Sequence, residues 1–242
     1  MTNPSRWTHA TGRQRSKRSR RPRPLRRLIL AIAFLPFAYY LLCVAGLAYL
    51  RFLPPLATGV QLPRAVEQLV RSERPAWHYR WRPTERISPH LPRAVVAAED
   101  ARFYQHGGFD WEELRRAGDH ALAGGSMRGA STLTQQLIKN LYFTTHRNLV
   151  RKAYEWALTP PAEWILGKDR IVELYINVVE LGPGIYGAEA AALHHYGVGA
   201  ASLSRHQAAS LAAILPAPLK RRPQNMEEYA LIIEQRMGEL GW

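Results

Sequence analysis

Cysteine is nearly absent from this sequence. The one residue, Cys43, lies inside an uncharged run, so the chain can form no internal disulfide and offers no cysteine-rich zinc pattern. Any domain that follows is stabilised by its core alone. Acidic residues are missing from positions 1 to 27, a stretch that includes "RQRSKRSRRPRPLRR". A glycine-rich phosphate loop of the Walker type and a nucleophile elbow are missing too, which argues against P-loop NTPases and elbow-type hydrolases. No run alternates apolar and polar residues over strand length and no segment repeats, so the expected class is mostly α.

Long uncharged runs are represented once. Leu28 to Leu50, "LILAIAFLPFAYYLLCVAGLAYL", has the length of a bilayer-spanning helix, about 20 residues. It exceeds the apolar region of a cleaved signal peptide and no small-x-small cleavage site follows, so it reads as a retained signal anchor. Pro36 is tolerable there, because neighbouring groups re-satisfy a membrane helix backbone. The basic tail before it has two readings: phosphate neutralisation on nucleic acid, or the positive-inside rule, with anionic lipid as its neighbour. Beside a membrane span the second is the plainer, and no nucleic-acid partner is expected. The tail is then cytoplasmic and everything after Arg51 lies across the membrane. Of the 33 basic residues ten sit in the tail, leaving 23 against 19 acids, so the exported part is only mildly basic. The expected organisation is a basic cytoplasmic tail (1–27), an anchor (28–50), a proline-rich connector without evident chemistry (51–86) and one domain (87–242).

From Pro92 the periodicity turns helical. Val95, Glu99, Phe103 and His106 share a narrow arc at about 100° per residue, predicting one helix that ends at Gly107 and Gly108 and carries Glu99 on its apolar face. Asp100 points about a quarter-turn away and suits structural work. A second helix over 131–141 sets Leu133, Leu137 and Leu141 against a nearly uncharged hydrogen-bonding face with Thr132, Gln136, Lys139 and Asn140. "KDRIVELYINVVELG" predicts a third that stops at Gly182, "SRHQAASLAAILP" a fourth opened by a Ser204/Gln207 capping box, and "EEYALIIEQRMGEL" a last one. A glutamate on an apolar face is partly desolvated and its pKa rises toward the range of a general acid or base; the alternative is a buried structural Glu. Arg147, Arg151, Lys152 and Glu155 in "RNLVRKAYE", with Lys139 nearby, are either a solvated helix with an i,i+4 pair or a cation group that holds phosphate. His106, Asp110 and His120, like His194 and His195, match no common zinc spacing and are expected to make structural hydrogen bonds.

"AAEDARFYQHGGFD", "RGASTLTQQLIKN", "RKAYE", "KDRIVELYINVVELGPGIYGAEAAALHHYG" and "LSRHQAASLAAILPAP", in this order, resemble the motifs of the peptidoglycan glycosyltransferases. The resemblance runs from about Ile87 to Arg222. No Ser-x-x-Lys follows, so a transpeptidase domain is not expected and the arrangement is similar to that of the monofunctional members. The resemblance implies a lysozyme-like α fold in the inner membrane, single-pass, with the N-terminus cytoplasmic and the catalytic domain periplasmic. It implies polymerisation of lipid II into β-1,4-linked glycan strands. Glu99 matches the base that deprotonates the acceptor 4-hydroxyl, and Glu155 the second glutamate, which assists at the diphosphate directly or through a divalent cation, Mg or Mn. Lys139, Arg147, Arg151 and Lys152 match cations near the leaving diphosphate. Ser131, Gln135, Gln136 and Asn140 match donor-site hydrogen bonders, while Asp100, Phe103, His106 and Gly108 support the base. Residues 111 to 130 correspond to a mobile, membrane-facing jaw.

Partners implied are lipid II, the growing strand, membrane lipid and other wall-synthesis proteins. The chain departs from the family pattern at Ala130, Tyr154, His195, Tyr196 and Ala217, and Pro160 with Pro161 is expected to break a helix after Thr159. Two other classes stay in view: a lysozyme-like hydrolase or lytic enzyme, and a non-catalytic wall scaffold.

Overall fold

The computed structural model describes residues 23–70, 77–125, 131–144, 146 and 148–242. Arg147, Ala130 and most of the tail, all singled out above, lie outside the described residues. The chain divides into two compact units, Met1–Tyr39 and Tyr40–Trp242. In the first, the described residues belong to the helix α1, Arg23–Leu50, which runs on into the second. Pro36 lies within it.

The second unit is mostly helical, as expected. After the last turns of α1 come α2 (Gln61–Val70), α3 (His90–Glu99), α4 (Trp111–Leu122), α5 (Leu133–Tyr142), α6 (Leu149–Leu166), α7 (Lys168–Val178), α8 (Ala188–Tyr196), α9 (Arg205–Ile214) and α10 (Glu227–Glu239). Two short strands, β1 (His78–Tyr79) and β2 (Ile185–Tyr186), pair in parallel, His78 opposite Ile185. Alanine-rich α9 is the centre of the core: Ala208, Ala209, Leu211, Ala212, Ala213 and Ile214 are all buried, and it packs against both α3 and α10. Small residues let the helices approach closely, and the predicted capping box of Ser204 and Gln207 starts the helix. Cys43, Leu47 and Leu50 of α1 join the same core, so the end of the apolar helix is built into the unit.

The connector is more ordered than its prolines suggest. It holds α2, which the sequence reading did not anticipate, and it docks through reciprocal bonds: Arg82 N–H donates to Asn177 Oδ1 and Asn177 Nδ2 donates to Arg82 O, each at 2.9 Å. The Arg82 guanidinium meets Glu189 at 2.8 Å. Arg170 donates to the carbonyls of Leu50 and Leu53, both at 2.9 Å, and stacks over Trp81. In the second unit, connector and domain therefore pack as one body.

Three boundaries differ from expectation, each with polar bonds beside it. The first helix ends at Glu99, not at Gly107, because Asp100 leaves helical geometry to bond elsewhere; Phe103 follows in a short 3₁₀ turn, still fully buried. α7 ends at Val178 rather than Gly182, since Leu181 N–H turns to Ile185 O at 2.8 Å and Gly187 N–H to Val179 O at 2.9 Å, forming a tight hairpin. α6 does not break after Thr159 but continues through Pro160 and Pro161. The prolines delete the N–H donors owed to the carbonyls of Trp156 and Ala157. Thr159 Oγ1 bonds back to Glu155 O at 2.8 Å, and the buried flank of Leu158, Thr159, Ala162 and Leu166 holds the helix together from outside.

Candidate functional site

Glu99 is the last residue of α3, with its carboxylate turned to α5. Gln136 Nε2 donates to Glu99 Oε2 at 2.7 Å. The amide is itself oriented, since the buried Tyr175 of α7 donates its hydroxyl to Gln136 Oε1 at 3.0 Å and so leaves Nε2 facing the carboxylate. Burial pushes the Glu99 carboxyl above its ordinary range and the neighbouring Asp100 adds to this, while the Gln136 bond, Lys139 and Arg221 act against it. A partly desolvated carboxylate that keeps one hydrogen bond and a free oxygen can accept a proton from a bound hydroxyl.

Asp100 works behind it. Its Oδ2 accepts the N–H of Leu133, the first residue of α5, at 2.9 Å, and its Oδ1 lies 2.9 Å from His106 Nε2. Gly108 N–H donates to His106 Nδ1 at 3.1 Å, so Nε2 carries the ring proton and donates to Asp100. Phe103 packs edge-on against His106, with the Lys168 ammonium 4.1 Å over its ring. Gly108, at φ +95°, returns the chain, and its carbonyl accepts Thr132 Oγ1–H at 2.8 Å. The side chains read as supports thus fasten the end of α3 to the start of α5, which fixes Gln136 opposite Glu99.

The other carboxylate, Glu155, is almost wholly buried on α6 and meets two cations of its own helix. Arg151 Nε lies 3.0 Å from Oε1, at an angle that makes an ion pair but no hydrogen bond, and Lys152 Nζ is 3.3 Å from Oε2. Lys152 also donates to Gln135 Oε1 at 3.0 Å and to Ser131 Oγ at 3.2 Å, linking α6 to α5. Arg151 donates to Thr144 O at 3.0 Å.

Between the two carboxylates sits Lys139. Its ammonium is drawn by both Glu155 and Glu99, yet among the described residues it has no hydrogen bond or ion pair. Burial lowers its pKa first, and Arg151 and Lys152 lower it further, against the pull of Glu155 and Glu99. A partly buried cation with no partner among the described residues, beside two more, can receive an anion. Asn140 is buried on α5 and bonds to neither carboxylate.

Asp100, His106 and Asp110 place ligand atoms within 4.8 Å of one another, a group that could hold a metal ion. Each is already engaged: Asp110 caps α4 through the N–H groups of Glu112 (3.1 Å) and Glu113 (2.9 Å), and the other two make the bonds described above. His120 is outside this group, and His195 Nε2 donates to Leu181 O, 2.8 Å away.

Sequence reasoning overlooked Tyr175 and Arg221. A tyrosine on the core face of "IVELYINV" needs a partner for its hydroxyl, which is the signal that it bonds inward. Arg221 acts on Glu99 across space and donates to Ala213 O at 2.9 Å; it stands in the basic run Lys220 to Arg222.

Residues 66–238 match the family model described as transglycosylase. The chain is similar to the biosynthetic peptidoglycan transglycosylases of Caulobacter vibrioides (42% identical, covering 90% of this chain and 91% of that one) and Ectopseudomonas mendocina (45%, 89% of each). The protein of the same description from Rhizobium meliloti is 42% identical over 98% of this chain and 95% of its own.

Proposed function

The chain belongs to the transglycosylase family and is a peptidoglycan glycosyltransferase; from that premise we propose that Glu99 is its general base and that the Lys139 group receives the leaving diphosphate of lipid II. The observation that carries this reading is the partly buried ammonium of Lys139, unpartnered among the described residues and drawn by both Glu99 and Glu155 of the Arg151–Glu155–Lys152 cluster.

The acceptor sugar presents its 4-hydroxyl to the free face of Glu99, which takes the proton as oxygen attacks the donor's anomeric carbon. Gln136 keeps the carboxylate in position. The diphosphate leaves from the opposite side, so the new β-1,4 link forms with inversion. Lys139, Arg151 and Lys152 neutralise the charge that accumulates on it, and cations of this kind stand in for the general acid that a glycosidase must supply. Glu155 holds Arg151 and Lys152 extended toward that charge rather than reacting itself. Ser131 and Gln135 fix Lys152 in turn. A divalent cation does not fit Glu155 as it stands, because its two oxygens already face Arg151 and Lys152; no step here runs through one.

α1 contains one segment long and apolar enough to cross a membrane, Leu30–Leu50, with mean hydropathy 2.1. With the basic tail before it, the positive-inside rule supports a cytoplasmic N-terminus and a catalytic unit on the periplasmic side of the inner membrane.

The full-length protein, incubated with lipid II, is expected to yield polymer, and Glu99→Gln to lower the rate by at least about 10²-fold, the usual worth of a general base. Full activity in that variant overturns the role given to Glu99. Soluble muropeptides released from intact sacculi indicate a hydrolase instead, and a folded protein that makes no polymer under any lipid condition indicates a scaffold.

A further inference from the structure

The connector carries a helix for which the chemistry above has no use. The start of α2 is anchored: Gly59 N–H donates to Leu141 O at 2.8 Å, while Thr58 N–H donates to Gln61 Oε1 at 3.1 Å and Gln61 N–H to Thr58 Oγ1 at 3.3 Å. The rest of the helix is inverted relative to what water favours. Leu62, Val66, Leu69 and Val70 are 53 to 79% exposed, and at 100° per residue they fall within one arc about 100° wide. Arg64 lies on the other side, 3.9 Å from Glu180 and 3.6 Å from Glu67. The charges are spent toward the protein and the aliphatic face is left open.

The level of this face relative to α1 is given by Tyr142. A Cβ on Gly46 of α1 would come 2.8 Å from the Tyr142 hydroxyl, and one on Gly59 would come 2.7 Å from the Tyr142 carbonyl carbon. One residue thus touches α1 and the approach to α2. Gly46 precedes Leu50, where the apolar segment ends, by about 6 Å of helix. The approach to α2 therefore packs within one tyrosine's length of the last turns of that segment. Phe52, Leu53 and Leu56, between the two helices in sequence, are exposed as well.

We propose that α2 is an interfacial membrane helix, its Leu62–Val66–Leu69–Val70 face seated in the boundary between headgroups and acyl chains of the bilayer that α1 crosses. Its occupant is a lipid surface, and the inference rests on reading α1 as a membrane span. Amphipathic helices bind in this plane when one face is aliphatic and the opposite face is polar. The consequence is a second attachment point. A unit held by α1 alone can swivel about it, whereas one held by α1 and α2 keeps a fixed height and heading over the bilayer from which a lipid-linked substrate must arrive.

The test uses full-length protein with Cys43→Ala and a single new cysteine, Val66→Cys, Leu69→Cys, Glu67→Cys or Leu42→Cys, each carrying a polarity-sensitive fluorophore. The proteins are reconstituted into phosphatidylethanolamine and phosphatidylglycerol vesicles and checked for an unchanged melting temperature. Labels at 66 and 69 are expected to be quenched several-fold less by aqueous iodide than the label at 67, and strongly by a lipid with a nitroxide near its headgroup. Equal iodide quenching at 66, 69 and 67 overturns the inference. Shielding from iodide without quenching by the nitroxide lipid also overturns it, since a second protein copy then covers the face. The label at Leu42 reports on α1 independently: iodide access there sinks the membrane-span reading itself, whereas a protected Leu42 beside an accessible Val66 sinks only the role of α2.

Discussion

Glu99 and Glu155 are the same side chain placed under opposite conditions. Glu155 is flanked at 3.0 and 3.3 Å by two cations of its own helix, whereas Glu99 has one neutral amide donor and more distant charges. Burial therefore dominates at Glu99 and raises its pKa. The sign of the stability effect follows: a carboxyl whose folded pKa lies above its unfolded value stabilises the fold at pH below the unfolded value, and that contribution is lost as pH rises through the folded one. Glu99→Gln is thus expected to melt no lower than wild type at pH 7 and to lose that advantage on acidification toward pH 4, by calorimetry across the range. A lower melting temperature at pH 7 would contradict the desolvated setting. Tyr175 acts through Gln136. Tyr175→Phe frees the amide to turn its oxygen toward Glu99, so the acidic limb of the pH–rate profile moves to higher pH, with a stability loss of about 1 kcal/mol for the broken bond. An unmoved limb would leave Tyr175 a core residue only. Only the first effect is legible in the sequence: helical period places Glu99 on an apolar face, where desolvation is expected, but the bond that orients Gln136 comes from a residue 39 positions away.

Elements are where the sequence reading was both strongest and most often displaced. Capping residues are local, so Ser204 with Gln207 marked the start of α9 correctly. The helix end at Glu99 goes with a long-range partner, the N–H of Leu133 that Asp100 accepts, whereas the end at Val178 goes with the turn just beyond it, where Leu181 N–H meets the carbonyl of Ile185. The two adjacent glycines near the base look alike in sequence and differ in the fold. Gly108 has φ +95°, and a Cβ there would stand 2.5 Å from Thr159 Cγ2 and 2.9 Å from Glu163 Cγ of α6, the helix that carries Glu155. At Gly107 a Cβ meets nothing within 4 Å. Gly108→Ala is expected to cost at least about 2 kcal/mol, combining left-handed backbone strain with the displaced helix, and to reduce polymerisation. Gly107→Ala should stay within about 0.5 kcal/mol of wild type, as surface changes usually do. Urea denaturation of both variants decides; equal losses would mean that the approach of α6 is not as tight as described.

Across the second unit, α3, α9 and α10 pack against one another, so the helix bearing Glu99 rests on a core that α10 completes. A polar clasp supplements this packing: His206, just inside α9, faces two glutamates of α10, with Nδ1 2.8 Å from Glu234 and Nε2 3.1 Å from Glu227. The Glu234 bond foremost raises the pKa of His206. Its contribution is then fully present below the unfolded pKa of a histidine and lost as pH rises through the folded value. Since the ring is 42% exposed, solvent screens the pair and the effect is small. His206→Ala is expected to lower stability measurably at pH 5.5 and hardly at pH 9, read from urea midpoints; an equal loss at both would assign it to packing rather than charge.

By itself the sequence determined the elements that depend on composition and near neighbours: an uncharged segment long enough to span a membrane, helices with their caps, and ordered motifs that resemble a family. Those features are set by interactions within a few residues or by bulk hydrophobicity, so a linear reading reaches them. Only the tertiary structure decided that α6 runs through two prolines, that the connector folds into α2 and docks through Arg82 and Arg170, and that Lys139, drawn by two carboxylates, pairs with neither. Each of these depends on packing against residues far along the chain, and packing also fixes whether a partly buried charge finds a partner.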